Sequence, residues 1–343
     1  MPSPFVSILI PIRNEARYIQ RCVQAVLNQN YPLESIEILI ADGLSDDETR
    51  LIIRKMQDAH PNIKLLDNYG RIVTSGINIL FKKAKGEILL RVDGHCVIAP
   101  EYVTNCVRHL RQDQVDGVGG PMLTIGEDLI SCVIALAMST KFGVGNSSFR
   151  TETGRTKLSD TVPFPAYTRV TIAKYGLFDE EFVCNEDDEY NYRIREAGGK
   201  ILLADDVRSE YFSRGSFKKL SKQYFQYGFW KVRVLQKHPR QMSFRQFVPL
   251  AFVLAFILTL VLSFVASWGW FALLILLAAY LVANLTASII TASGQGFKKL
   301  LLLPLAFAII HLSYGLGFLV GLFKFWNRWR DKKGRVAPLD WQA

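Results

Sequence analysis

Apolar and polar positions follow three rhythms in turn along this chain. Between Val6 and Val92, short apolar runs alternate with stretches whose apolar residues recur at helical spacing. Val6–Ile12, Ile36–Ala41, Ile63–Leu66 and Ile88–Val92 read as strands. Glu15–Asn28 reads as a helix with Ile19, Val23, Val26 and Leu27 on one face, and Asp46–Ala59 as a helix with Leu51, Ile52 and Met56 inward. Ile72–Lys83 reads as a third helix, ending near Gly86. Strands and helices in alternation predict an α/β domain around a mostly parallel sheet. Ligands of such sheets bind beyond the carboxyl ends of the strands. The residues to weigh are therefore Arg13-Asn14-Glu15, the run Asp42–Asp47, and Asp93-Gly94-His95. Carboxylates gathered at one rim repel each other unless a cation or a proton holds them together.

A later polar run has a different character. Asn185 to Arg193 places four consecutive acidic residues at the start of a helix that turns basic and ends at Gly198-Gly199. The helix dipole favours carboxylates there, which alone would explain a solvated helix start. A carboxylate at that place can also take the proton of an attacking hydroxyl.

The second rhythm is that of Ser216–His238, which mixes Phe217, Tyr224, Phe225, Tyr227, Phe229 and Trp230 with lysines and reads as a basic amphipathic helix for a bilayer surface. The third is continuous: Phe247–Ser267, Gly269–Ala292 and Leu300–Phe323 contain no Lys, Arg, Asp or Glu. About 20 apolar residues suffice to span a bilayer. The predicted plan is a catalytic domain over 1–215, an interfacial segment over 216–246, and a membrane region over 247–323 with segments 247–267, 269–292 and 300–323. A basic tail over 324–343 follows. The formal net charge of +10 collects on both sides of the apolar segments, which suits membrane lipids; no nucleic-acid motif accompanies it, so a nucleic-acid partner is not expected. No leader precedes Val6–Ile12, and five cysteines without C-x-x-C spacing read as reduced thiols. The expected location is the inner (plasma) membrane, multi-pass, with the catalytic domain cytoplasmic. Three crossings would put Lys324–Arg335 outside, against the positive-inside rule, unless Leu300–Phe323 is re-entrant or interfacial.

Four motifs, in order, resemble glycosyltransferase family 2. Pro11-Ile12-Arg13-Asn14-Glu15 resembles its P-x-x-N-E opening, and Asp42 to Thr49 its D-G-x-S-x-D-x-T nucleotide loop, followed by Asn68, Arg71 and Asn78. Asp93-Gly94-His95 stands at the D-x-D metal motif, with His95 in place of the second Asp. Glu186-Asp187-Asp188-Glu189 through Arg193, about ten residues after Gly176-Leu177-Phe178-Asp179-Glu180, resembles the stretch that carries the general base. The resemblance is closest to bacterial succinoglycan and other exopolysaccharide transferases. It implies a GT-A fold, Rossmann-like with a mostly parallel sheet, followed by C-terminal transmembrane helices. It implies donor binding by Pro11, Asn14, Glu15, Asp42, Ser45, Asp47, Arg71, Asn78 and Asp93. A metal, Mn²⁺ or Mg²⁺, would sit on Asp93 and His95, the imidazole favouring manganese. Asp187 is the implied base, with Asp188 and Glu186 as neighbouring candidates.

The implied reaction is inverting transfer from a nucleotide sugar donor, UDP-glucose or another UDP-hexose, to a lipid-linked glycan acceptor. Gln226-Tyr227-Gly228-Phe229-Trp230 lacks the Arg of the processive Q-x-x-R-W signature, which favours transfer of single sugars. Two other readings are a sugar transferase acting on polyprenyl phosphate and a non-catalytic membrane scaffold with a nucleotide-sugar pocket.

Overall fold

The computed structural model describes residues 3–332 together with Gly334 and Val336. Part of the expected basic tail, including Arg335, lies outside the described residues. Contacts divide the chain into two compact units. Among the described residues, the first comprises 3–123, 152–211, Gly334 and Val336, and the second comprises 124–151 and 212–332. Residues 124–151, which the sequence plan assigns to the catalytic domain, belong to the second unit.

The first unit opens as the apolar rhythm predicts. Strand β1 is Val6–Ile12, β2 is Ile36–Asp42, β3 is Ile63–Asp67 and β4 is Ile88–Arg91. They are separated by helices α1 (Ile19–Leu27), α2 (Thr49–Ala59) and α3 (Val73–Lys83). Every position of β1 and β2 is buried, as a parallel strand covered on both faces requires. Helix α1 starts four residues later than its pattern suggests. The Glu15 N–H is bonded to Thr49 at the start of α2, and the Ala16 N–H to Asp47 in the loop before it. On α2 the inward residue is Ile53, while Leu51 is exposed, contrary to the expected stripe. Ile53 follows buried Thr49 by one helical turn and Leu51 lies across the helix from it.

Strand β5 (Cys96–Ile98), helix α4 (Tyr102–Gln112) and strands β6 (Gly117–Gly119) and β7 (Met122–Ile125) follow. After an excursion into the second unit come β8 (Lys157–Leu158), β9 (Ala166–Thr168), α8 (Arg169–Tyr175), α9 (Glu186–Glu196), β10 (Ile201–Leu203) and β11 (Ser209–Phe212). The main sheet has the order β3-β2-β1-β4-β9-β6-β10-β8. Pairs β1–β2, β2–β3, β1–β4 and β6–β10 are parallel, while β9 and β8 join antiparallel. This is the mostly parallel sheet of the GT-A fold.

The second unit contains α5 (Leu129–Met138), the short helices α6 (Lys141–Val144) and α7 (Ser148–Thr151), and then α10 (Phe217–Lys237), α11 (Val248–Val265), α12 (Ser267–Ala292) and α13 (Phe297–Lys324). The last three are long and apolar enough to cross a membrane. They differ in burial: half of the most apolar stretch of α13 is inside the protein, against 17% for the other two. Helix α13 packs on α10, α11, α12, α5 and α6.

Its contact with α10 is at backbone distance, because a Cβ on Gly228 would run into the Tyr314 carbonyl. Phe229 and Trp230 close on Phe325, with ring centroids 5.0 and 5.7 Å apart. Fully buried Arg233 donates to the Arg328 and Asp331 carbonyls at 3.3 and 3.2 Å, and Gln236 to that of Phe325 at 2.8 Å. These carbonyls, beyond or at the end of α13, would otherwise need other partners. Phe229, Trp230, Arg233 and Gln236 of α10 thus hold the end of α13 and the residues after it.

Candidate active site

The parallel register sets Ile12 opposite Asp42 and Asp42 opposite Asp67, so the loops after β1, β2 and β3 leave the sheet side by side. Asn14 adopts a left-handed φ of 58°, its N–H donates to Ser45 Oγ at 2.8 Å, and its side-chain oxygen accepts from the Asp46 N–H at 3.0 Å. The Glu15 N–H donates to Thr49 Oγ1 at 2.8 Å and the Ala16 N–H to Asp47 Oδ2 at 3.2 Å. The first two motifs are therefore one hydrogen-bonded knot. Leu44 and Arg71, with φ of 56° each, add further left-handed backbone, of a kind that concentrates at functional loops.

Asp42 is fully buried. It accepts from the Ser45 N–H at 3.0 Å, from the Ser45 hydroxyl, and from Arg50 Nη1 at 2.7 Å. Arg50 also reaches Asp67 Oδ1 at 2.8 Å. The sequence pattern does not single out Arg50, because only the register shows that two carboxylates need one cation between them. Asp47 is held below the ordinary carboxylate range: burial opposes its charge, but the Thr49 hydroxyl, the Thr49 N–H and the Ala16 N–H outweigh it. Pro11 is buried within β1. Arg71 is exposed on the turn after β3, and an added Cβ on Gly43 would stand 3.4 Å from its Cα. Asn78, expected at the donor, is buried and clasps the backbone of Phe178 instead.

The loop after β4 carries the other candidate groups. A Cβ on Gly94 would come within 2.6 Å of Ile12, so the residue between Asp93 and His95 has room only for hydrogen. His95 Nδ1 lies 2.8 Å from Glu15 Oε1, and its ring meets Tyr211 edge-on at 4.9 Å. In the tautomer whose Nδ1–H donates to Glu15, Nε2 keeps a lone pair for a ligand.

Arg91, at the end of β4, joins this loop to α9. Its Nε donates to Asp93 Oδ1 at 2.8 Å and its Nη2 to Glu186 Oε1 at 2.9 Å. Nη1 is buried with no partner among the described residues. Burial opposes the guanidinium charge, but Asp93, Glu186 and Asp187 around it hold the proton firmly. Glu186, a candidate base, is thus paired and buried. Asp187, at the second position of α9, is partly accessible and accepts the Asp188 N–H at 2.9 Å. Burial, then the charges of Asp188 and Glu186, raise its carboxyl to about 7, against the pull of Arg91. Farther along α9, Arg193 grips Glu189 and donates to the carbonyls of Tyr175 and Leu177 at 3.0 and 2.8 Å. Arg193 anchors the helix.

The donor set bears on a cation. Among the described residues no three His, Cys, Asp or Glu side chains form a ready-made metal site. Asp93 and the Nε2 of His95 suit a divalent ion as a pair, with its other positions left to water and phosphate oxygens, as is common for Mg²⁺.

Comparisons with known proteins agree with this architecture. The chain is 30% identical to succinoglycan biosynthesis protein ExoA of Rhizobium meliloti (strain 1021), covering 96% of each chain. It is 31% identical to a dolichyl N-acetyl-α-D-glucosaminyl phosphate 3-β-D-2,3-diacetamido-2,3-dideoxy-β-D-glucuronosyltransferase of Methanococcus voltae, over 68% of this chain and 74% of that one. Among solved structures it is similar to a mannosyltransferase of Pyrobaculum calidifontis in complex with GDP-Man and Mn²⁺. The TM-score is 0.59 at 18% identity, covering 92% of this chain and 87% of that one, a likeness of fold. The family described as Glycosyl transferase family 2 matches residues 7–176, and with a near-full-length relative at 30% identity the chain belongs to that family and is a glycosyltransferase.

Proposed function

We propose that this protein transfers a single hexose from a nucleoside diphosphate sugar, of the UDP-hexose class, to a glycan carried on a membrane lipid, with inversion at the anomeric carbon. The observation that carries the reading is Asp187: a partly accessible carboxylate beside the Arg91–Asp93 pair, with its proton affinity raised to about 7. A general base works best when its pKa lies near the operating pH. Asp187 takes the proton of the acceptor hydroxyl as that oxygen attacks the anomeric carbon from the face opposite the leaving group. Glu186, fixed by Arg91, orients the start of α9, and Asp188 adds the like charge that keeps Asp187 basic.

Asp93 and His95 would hold Mn²⁺ or Mg²⁺, which when bound neutralises the diphosphate as the nucleoside diphosphate leaves. The knot of Asn14, Glu15, Asp42, Ser45 and Asp47 shapes the loops around the nucleotide, and exposed Arg71 offers a positive charge to its phosphates. The names of the two relatives, one in succinoglycan biosynthesis and one acting on a dolichyl-linked sugar phosphate, support a lipid-linked acceptor for polysaccharide assembly. Asp187→Asn tests the reading: transfer of radiolabel from UDP-hexoses to a lipid extract should vanish while UDP binding persists. Undiminished turnover would remove Asp187 from the chemistry.

The membrane reading is a plasma-membrane protein with its catalytic unit in the cytoplasm and two crossings, α11 and α12. The chain leaves the first unit at Tyr211 and is back in it at Gly334, where an added Cβ would run into the Asp179 carboxylate. With that unit on one side of the bilayer, the segments between make an even number of crossings. Helix α13 is the half-buried one, and it packs along α10, whose lysines do not belong in hydrocarbon. Lys324–Arg330 then lie inside, in keeping with the positive-inside rule. A reporter fused to the C-terminus should score as cytoplasmic, and a periplasmic score would restore three crossings.

A further inference from the structure

Helix α3 carries two buried polar side chains, one turn apart on the same face, whose hydrogen bonds leave the helix. Thr74 Oγ1 donates to the Phe182 carbonyl at 3.0 Å. The Asn78 amide nitrogen donates to the Phe178 carbonyl and to Glu180 Oε1, each at 2.9 Å, and its oxygen accepts the Phe178 N–H at 2.9 Å. The segment they hold, residues 176–185, has no helix or strand of its own. It ends in Asn185, whose backbone is left-handed with φ 62°, and leads directly into α9 with Asp187 at its second position. Buried backbone groups of an irregular segment must find partners somewhere, and here α3 side chains supply them.

The first turn of the same helix is also tied to the donor rim. Its start follows the turn that bears Arg71, and this turn is pinned by Asn68. The Asn68 amide donates to the Ile72 carbonyl at 2.8 Å, and its oxygen accepts the Ser75 hydroxyl at 2.7 Å. The first two turns of one helix thus hold both the loop after β3, through Ser75, and the approach to the base, through Thr74 and Asn78. The bonds join residues 100 and 108 positions apart, so nothing local in the sequence could hold this register.

We propose that Thr74 and Asn78 are positioning residues: α3 acts as a strut that fixes where Asp187 stands relative to the bound donor, and neither side chain touches substrate. The proposal rests on the glycosyl-transfer reading above. It gives Asn78 a role unlike the donor contact that the family resemblance implies.

The test uses the full-length protein in detergent with Thr74→Val, which keeps shape and loses the hydroxyl, Thr74→Ser, which keeps the hydroxyl, and Asn78→Asp, which keeps an acceptor and loses the donor. Thr74→Val and Asn78→Asp should lower kcat about 10- to 100-fold, the scale of a misplaced reacting group. Donor KM and the affinity for UDP with Mn²⁺ should stay within about twofold, the sign of lost transition-state alignment with binding intact. Thr74→Ser should return kcat to within about twofold of wild type on the same criterion. A donor KM or UDP affinity that moves with Asn78→Asp while kcat holds would make Asn78 a donor ligand and overturn the proposal. So would a kcat unmoved in both variants, or one that Thr74→Ser does not restore. A wild-type protein that transfers no sugar removes the reaction and this proposal together, whereas an active wild type with unaffected variants removes the proposal alone.

Discussion

Asp47 and Asp187 both stand at the start of a helix, where the backbone dipole favours a carboxylate, yet their proton affinities move in opposite directions. Asp47 is surrounded by donors: the Thr49 hydroxyl and N–H on one oxygen and the Ala16 N–H on the other. Those bonds hold it below the ordinary carboxylate range. Asp187 accepts the N–H of its own neighbour and sits between two more carboxylates, so burial and like charge raise it to about 7. The same residue type is thus a loop tie in one place and, in the proposed reaction, the proton acceptor in the other. Hydrogen-bond supply decides between them.

That contrast can be broken most sharply at Asp187. Asp187→Asn should cut transfer about 10²- to 10⁴-fold, the usual contribution of a general base, with calorimetry showing UDP bound as in wild type. The folded pKa of Asp187 lies above its ordinary value, so the unfolded chain binds fewer protons between about pH 4 and 7. This group's contribution therefore favours the fold at low pH and is lost as pH rises through 7. The same variant should consequently melt no lower than wild type at pH 8. A lower melting temperature would mean that the charge is compensated.

Arg91→Met leaves Asp93 and Glu186 without their shared cation, and should cost about 3–5 kcal/mol of stability by denaturant unfolding, as for a broken buried ion pair. Asp47→Asn sharpens the other side of the comparison. Loosening the knot should cost about 0.5–1.5 kcal/mol and raise donor KM while kcat at saturation changes little, a loss of loop order in place of chemistry. For the wild type, kcat/KM should climb about tenfold per pH unit up to about pH 7 and then level, because the base must be ionised. The smallest effect is expected from Asp188→Asn: removing one like charge should move that bend toward lower pH by up to about one unit. A bend that stays in place would assign the shift to burial and Glu186.

Much of this was legible in the chain. The continuous apolar runs of β1 and β2 announce strands covered on both faces, and the polar residues that end them mark the rim. The acidic run at 186–189 is visible as a helix start. Less visible were the partners of these groups. Arg50 reads as a surface helix residue until the register sets Asp42 beside Asp67. Arg91 reads as one more strand residue until α9 folds back against the end of β4. Asn78 carries a motif letter, but its clasp on the Phe178 backbone, 100 positions away, exists only in the fold. In the apolar region, composition made α11, α12 and α13 alike, and burial separated them.

Periodicity and residue type determined the strands, the helices and the pool of groups able to bind a cation or move a proton, since these depend on neighbours a few positions away. The tertiary structure decided which carboxylates are tied and which is left basic, and which apolar helix packs within the protein. Both outcomes depend on groups brought together from distant parts of the chain: the donors and charges that set a proton's affinity, and the helices that cover α13.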